Sequence, residues 1–344
     1  MKKIIALLVV ITALFFLFSK EREVVEQIVE DSKDEIAEQI GGIEFSEMTI
    51  PYLRSRKYES SLDELRPYGS SGNFNTYLTS YNSDGLKVNG LLTIPKGEAP
   101  QGGWPAVVFV HGYIAPTVYR TTEKYNDYVN YLARNEMVVF KIDLRGHGES
   151  EGEPGGSYYS SDYIVDTLNA RAALQASEFV NPKAVGLWGH SMAGNVTFRS
   201  FVSARDIPAL VVWGGAGYSY GDLIKYGIDD NSYRPPSTNT QRQNRRAELR
   251  AKYGEFDQDS EFWSQVSPIN YLTGVNGAIQ VHHAVDDAVV SVGYARDLMQ
   301  LLDSTDIPHE LFEYSSGGHN LTGSSFSQAM ARTVDFYKKQ FGVE

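Results

Sequence analysis

The chain has 344 residues, is 42% hydrophobic and carries a formal net charge of −12. That length allows one large mixed domain with additions, while the acidic balance leaves no broad basic surface to meet phosphates and argues against a nucleic-acid partner. Cysteine is absent, which excludes a thiol nucleophile and disulfides without fixing the compartment.

At the amino end, Lys2 and Lys3 precede an apolar run from Ile4 to Phe18, broken only by Thr12. A helix of that length spans about 22 Å, against roughly 30 Å of bilayer hydrocarbon. It suits a short anchor or a secretory signal peptide. The run ends Phe16-Leu17-Phe18-Ser19-Lys20, a poor cleavage site, so residues 1–19 are read as an uncleaved signal anchor, with a cleaved peptide and secretion as the alternative. Positive charge ahead of the run places the rest of the chain outside the cytoplasm, tethered to the membrane by a single helix. Residues 20–45 read as an acidic helical stalk: Val24, Val25, Ile28, Val29, Ile36 and Ile40 recur at helical spacing before Gly41-Gly42.

Residues 46–344 read as one α/β unit. Strands at 74–81 and 87–94 flank the turn Asn82 to Gly85 as a hairpin. Strands at 106–110, 137–143, 184–188 and 209–213 then alternate with helices at 123–134, 162–178 and 192–204. Later come strands at 278–283 and 309–314 and helices at 292–303 and 324–340. Such alternation predicts a mostly parallel sheet covered on both faces, mixed because of its leading hairpin. The interval 217–266 interrupts the pattern with Tyr218, Tyr220, Tyr226, Tyr233, Pro235-Pro236 and arginines 242, 245, 246 and 250 at helical spacing. It is expected to form a small helical cap over the site, where insertions shape substrate choice. The arginines either attract an acidic substrate or form an exposed helical face.

The chemistry concentrates at Gly189-His190-Ser191-Met192-Ala193-Gly194, between the strand ending at Trp188 and a helix. A serine flanked by small residues at a strand-to-helix turn is a nucleophile elbow, tight enough that only small neighbours fit. A serine hydroxyl needs a base in reach and a third group to orient that base. Chain order places acid and histidine after the serine. His111, His147 and His190 come too early. His282 and His283 lie within a strand and point to opposite faces, so they cannot easily chelate a metal. His309 sits at the wrong end of its strand. His319, in the loop after that strand, is the expected base. Asp287 is the expected acid, with Asp286 second. The oxyanion hole is expected from the backbone N–H groups of Met192 and of Tyr113, which follows the strand ending at Val110. Trp213 and Tyr218 are expected to line the acyl pocket. Neither metal-ligand spacing nor a phosphate-cradling glycine loop is present, and no cofactor or metal is predicted.

In order, Ser83-Asp84-Gly85, His111-Gly112-Tyr113, the segment Asp143 to Ser150, the elbow, Ser267-Pro268-Ile269-Asn270-Tyr271 and Gly318-His319-Asn320 resemble the catalytic domain of prolyl-oligopeptidase-type (S9) serine peptidases and related esterases, within the α/β-hydrolase superfamily. The likeness spans roughly residues 48–341. It implies Ser191 as nucleophile, Asp287 as orienting acid and His319 as base, and it makes Asp143 and Arg145 braces of the loop beside the site. Ala193 replaces the usual glycine and Ala284 stands where glycine often follows histidine; neither touches the triad. The propeller that restricts access in large S9 peptidases has no counterpart repeat in this chain. The expectation is therefore a serine hydrolase working through an acyl-enzyme on carboxylic esters or other small acyl substrates. The alternatives are an S9-like peptidase for short peptides and a non-catalytic, surface-tethered binding protein.

Overall fold

The computed structural model describes residues 44–228 and 240–343. The proposed anchor (1–19), most of the stalk and Tyr233 with Pro235-Pro236 lie outside the described residues. No helix among the described residues is long and apolar enough to cross a membrane.

The apolar runs form a 9-stranded sheet. In chain order the strands are β1 (Arg66–Ser70), β2 (Phe74–Ser83), β3 (Leu86–Pro95), β4 (Trp104–Val110), β5 (Val138–Ile142), β6 (Val180–His190), β7 (Ala209–Trp213), β8 (Ala278–Ala284) and β9 (His309–Tyr314). Their spatial order is β1-β2-β3-β5-β4-β6-β7-β8-β9. The first three strands are antiparallel to their neighbours, and from β5 to β9 the pairing is parallel. Connections turn back at β4, which has β5 on one side and β6 on the other. Open parallel sheets place ligand sites at the carboxyl ends of strands beside such a switch point.

The helices are α1 (Ile50–Ser55), α2 (Asn126–Arg134), α3 (Asp162–Gln175), α4 (Ala193–Ala204), α5 (Tyr220–Tyr226), α6 (Thr240–Tyr253), α7 (Glu261–Val266), α8 (Gly293–Leu302) and α9 (Ser324–Phe341). The central strands are buried on both faces, so they read as continuous apolar runs rather than alternating ones. Alternate residues nonetheless serve different cores. Ala106, Val108 and Val110 of β4 join α3, α4 and α8 in the larger core, whereas Val107 and Phe109 face α2 and α9. A third, smaller core joins Phe45 and Met48 to Tyr220, Leu249, Phe262 and Trp263. It fastens helices α5 to α7 onto the segment around Phe45 and Met48. Of the arginines in this interval, Arg245 serves this attachment, while Arg246 and Arg250 lie on an exposed face. Arg245 pairs with Glu47 and Arg246 lies over the Tyr159 ring at 4.6 Å.

Two elements escape the sequence pattern. Strand β1 is exposed throughout, contains Pro67 and Gly69, and has a register shift between them. These are traits of a strand at the sheet margin, where a missing N–H costs little. Helix α1 is short, with Pro51 in its first turn and Thr49 capping the Tyr52 N–H.

Candidate active site

Strand β6 delivers Ser191 at a backbone φ of +56°, a left-handed conformation that side chains rarely adopt. The turn is held by its own backbone. Ser191 N–H donates to the Trp213 carbonyl at 3.0 Å, and its carbonyl accepts from Gly194 at 2.8 Å and Ala216 at 3.2 Å. The small neighbours have a steric cause. A Cβ on Gly189 would lie 2.7 Å from Thr197 Oγ1, and one on Gly194 would lie 2.9 Å from the Ala216 nitrogen. Ala193 is fully buried at the head of α4, so its methyl replaces the usual glycine within the packed turn.

On the loop after β9, His319 Nδ1 meets Asp287 Oδ2 at 2.8 Å. Asp287 follows β8 and accepts the N–H groups of Val289 at 2.8 Å and Val290 at 3.0 Å, with its side chain only 1% exposed. Burial alone would raise its pKa; hydrogen bonds from His283 and His319 outweigh burial and hold the carboxyl well below the usual range. His283 Nε2 bonds the Val290 carbonyl at 2.8 Å and lies 3.3 Å from the same carboxylate. Asp286 points elsewhere and accepts the N–H groups of Gly317 and Gly318, bracing the base loop.

The Gly214–Ala216 turn joins the two halves. Its Ala216 N–H holds the Ser191 carbonyl. A Cβ on Gly214 would lie 3.3 Å from both Asp287 Oδ2 and His319 Nδ1. The rings of His190 and His319 have centroids 4.6 Å apart. Ser191, Asp287 and His319 thus share one rim. Among the described residues no hydrogen bond joins the Ser191 hydroxyl to His319; such bonds commonly tighten only with substrate in place.

The loop after β4 reaches the same rim. A Cβ on Gly112 would lie 3.1 Å from Ser191 Cβ and 2.8 Å from Tyr125 Oη, so only glycine brings this backbone against the nucleophile. Tyr113 follows directly. Met192 heads α4, whose first N–H groups have no intrahelical acceptor. Polar groups at the end of β5 fasten the rest of the loop. Tyr119 and Thr121 donate to Asp143 at 2.9 and 2.6 Å. The buried Lys141 ammonium donates to the carbonyls of Glu123 and Lys124 at 2.6 and 3.0 Å. Burial pushes Asp143 up to about 6, against its hydrogen bonds, and Lys141 down to about 8. Sequence reasoning missed Lys141 and Tyr125 as parts of the site, and placed His190 only as an elbow residue too early in the chain to be the base. Only Lys141 left a signal, a lone cation inside the apolar strand Val138–Ile142.

Arg145 braces a neighbouring loop, pairing with the buried Asp166 at 2.7 Å. The pocket assignment of Trp213 is corrected. Trp213 is wholly buried among Trp188, Tyr128 and Phe326, with Nε1 donating to Thr333, because its side chain points to the α2–α9 core rather than to the rim. Tyr218 is also fully buried, edge-on to Phe198, and walls a cavity of about 110 Å³ with Asp222, Ile269 and Leu298. No group of three or more metal-ligating side chains occurs among the described residues.

This geometry coincides with what the chain is similar to. Residues 105–220 match the family model described as "Serine aminopeptidase, S33". A thiohydrolase of Aspergillus aculeatus is 35% identical over 117 residues, 32% of this chain and 32% of that protein. An uncharacterized peptidase of Bacillus subtilis, YuxL, is 20% identical over 271 residues, 75% of this chain and 37% of that protein. The chain thus spans about a third of the length of these curated relatives. Acetyl xylan esterase 1 from Thermoanaerobacterium superposes with a TM-score of 0.59 at 16% identity, covering 90% of this chain and 93% of the esterase. Dipeptidyl peptidase 4 of Porphyromonas gingivalis gives 0.58 at 17%, covering 78% of this chain and 36% of the peptidase. The chain has the α/β-hydrolase fold. It is similar to serine peptidases and to esterases alike.

Proposed function

We propose that the protein is a serine hydrolase that cleaves carboxylic esters, or other small acyl substrates, through an acyl-enzyme. The observation that carries the reading is the His319–Asp287 bond of 2.8 Å on the rim where the strained elbow presents Ser191. His319 takes the Ser191 proton as the serine oxygen attacks the carbonyl, and Asp287 holds the ring and stabilises the imidazolium. The oxyanion rests on the N–H groups of Met192 and Tyr113, each such donor typically worth about 3–4 kcal/mol of barrier. The leaving group departs with the proton from His319. Water, deprotonated by the same ring, then releases the acid. No metal or other cofactor enters this scheme.

Labelling with a fluorophosphonate tests it. Wild-type protein takes up one label and Ser191→Ala takes up none; an unlabelled wild type overturns the reading in favour of a tethered binding protein, and a labelled variant overturns Ser191 as the nucleophile. Cleavage of short peptides is the second reading, favoured by the matched model's description as a serine aminopeptidase. Parallel assays on acyl esters and aminoacyl amides separate the two. The apolar run behind Lys2-Lys3 supports tethering at the membrane with this domain outside the cytoplasm; fractionation of cells making the full chain tests that placement.

A further inference from the structure

One hydrogen-bond chain crosses the site without touching the reacting atoms. The Gly112 N–H donates to Tyr125 Oη at 3.0 Å, Tyr125 Oη lies 2.8 Å from His190 Nδ1, and His190 Nε2 lies 2.9 Å from the His319 carbonyl. Donor counting fixes its direction. The carbonyl of His319 can only accept, so His190 Nε2 carries a hydrogen. The phenol oxygen already accepts from Gly112, so its own hydrogen points to His190 Nδ1, which is bare. Each hydrogen has one acceptor only while the His190 ring is neutral. Protonating Nδ1 would set two donors at the phenol oxygen and leave the phenol hydrogen without an acceptor.

The chain is built at a cost. Lys124 and Tyr125 hold φ values of +57° and +56°, consecutive left-handed residues of non-glycine type. The buried Lys141 ammonium grips the two carbonyls beside them. That strained turn aims the Tyr125 hydroxyl between Gly112 and His190, where a Cβ on residue 112 would collide with both. The same turn caps α2 and packs the Tyr125 ring on Phe109 and Trp188, which leaves the hydroxyl aimed at Gly112 and His190.

We propose that Tyr125 and His190 are positioning residues, tying the oxyanion loop, the elbow and the base loop into one register through a neutral imidazole. The proposal rests on the acyl-transfer reading above. It places Tyr113 and His319 by their own loop backbones, so that the oxyanion donor and the base keep a fixed separation across Ser191. It also keeps a second positive charge away from His319 when that ring takes the serine proton. The titratable groups facing His190 are Tyr125 on one side, and His319 with Asp287 and His283 behind it on the other. Burial, and then the charge of His319, push the His190 pKa down to about 3, in agreement with the donor count.

Two measurements on the full chain test this. The first is Tyr125→Phe, which removes one oxygen and little volume. Its expected effect is a tenfold or greater fall in kcat on a short acyl ester, with KM within twofold, fluorophosphonate labelling slowed by a similar factor, and an unchanged thermal midpoint. The double variant with His190→Gln should be no slower than the slower single one, since both break the same chain. Activity of Tyr125→Phe within twofold of wild type overturns the proposal, as does a fall in kcat explained by unfolding. The second measurement is nitrogen NMR of histidine-labelled protein, which does not depend on turnover. His190 should show a protonated Nε2 and a bare Nδ1 without titrating between pH 5 and 8. Titration in that range, or the opposite tautomer, overturns the proposal. If the NMR result holds while no acyl substrate is turned over, the acyl-transfer reading has failed and the hydrogen-bond chain has not.

Discussion

At the scale of single residues, the structure separates side chains that the sequence leaves side by side. Asp286 and Asp287 are adjacent carboxylates in one loop, yet only Asp287 touches His319, while Asp286 holds two backbone N–H groups of the base loop. Asp287→Asn is therefore expected to lower kcat by about 10⁴, through loss of the imidazolium partner and of the correct tautomer. Asp286→Asn removes one acceptor of neutral donors and should cost no more than about tenfold. Comparable losses in the two variants would misassign the acid. Ser191→Ala and His319→Ala should each lower turnover by about a million-fold, and the double variant should fall no further, because the residues act as a unit. The positions of Ser191, Asp287 and His319 were legible because each follows a recognisable apolar strand, and chain order then leaves few candidates. Trp213 was not legible as core. In a strand covered on both faces, neither neighbour nor period tells which face a residue takes. Tyr125 left no trace, and His190 stood in the elbow with no sign of its bonds, since nothing in spacing links residues 112, 125, 190 and 319.

At the scale of elements, the parallel strands and their helices were readable within a few residues because burial on both faces concentrates apolar side chains into unbroken runs. The margins were not readable: β1 buries nothing and α1 is held by a cap and by contacts far away in sequence. Polar anchors inside the core are the other hidden layer. Asp166 in α3 is fully buried and accepts from the Arg145 backbone N–H, from its guanidinium, and from Ser83 at 2.6 Å. One carboxylate thus joins the hairpin, the loop after β5 and a core helix. Asp166→Ala would leave the Arg145 guanidinium, 12% exposed, without its main partner. The expected destabilisation is about 3–5 kcal/mol. Urea unfolding should show a lower midpoint with an unchanged slope. A loss under about 1 kcal/mol would show that the ion pair contributes little beyond its packing.

At the scale of the whole molecule, two buried carboxylates pull stability in opposite directions with pH. The depressed pKa of Asp287 contributes stability above about pH 4, lost as the solution is acidified below that value. Asp143 does the reverse. Its folded form keeps a proton up to about 6, whereas an unfolded aspartate releases it near 4. Between those values the folded protein binds more protons than the unfolded chain, so unfolding free energy falls as pH rises. The two-unit interval corresponds to about 2–3 kcal/mol. Asp143→Asn cannot ionise and should remove this slope. The difference in unfolding free energy, wild type minus variant, should decline between pH 4 and pH 6 and be level above pH 7. A flat difference across the whole range would mean that Asp143 is charged at all these values, with Lys141 as its effective counter-ion rather than a separate clamp on the loop.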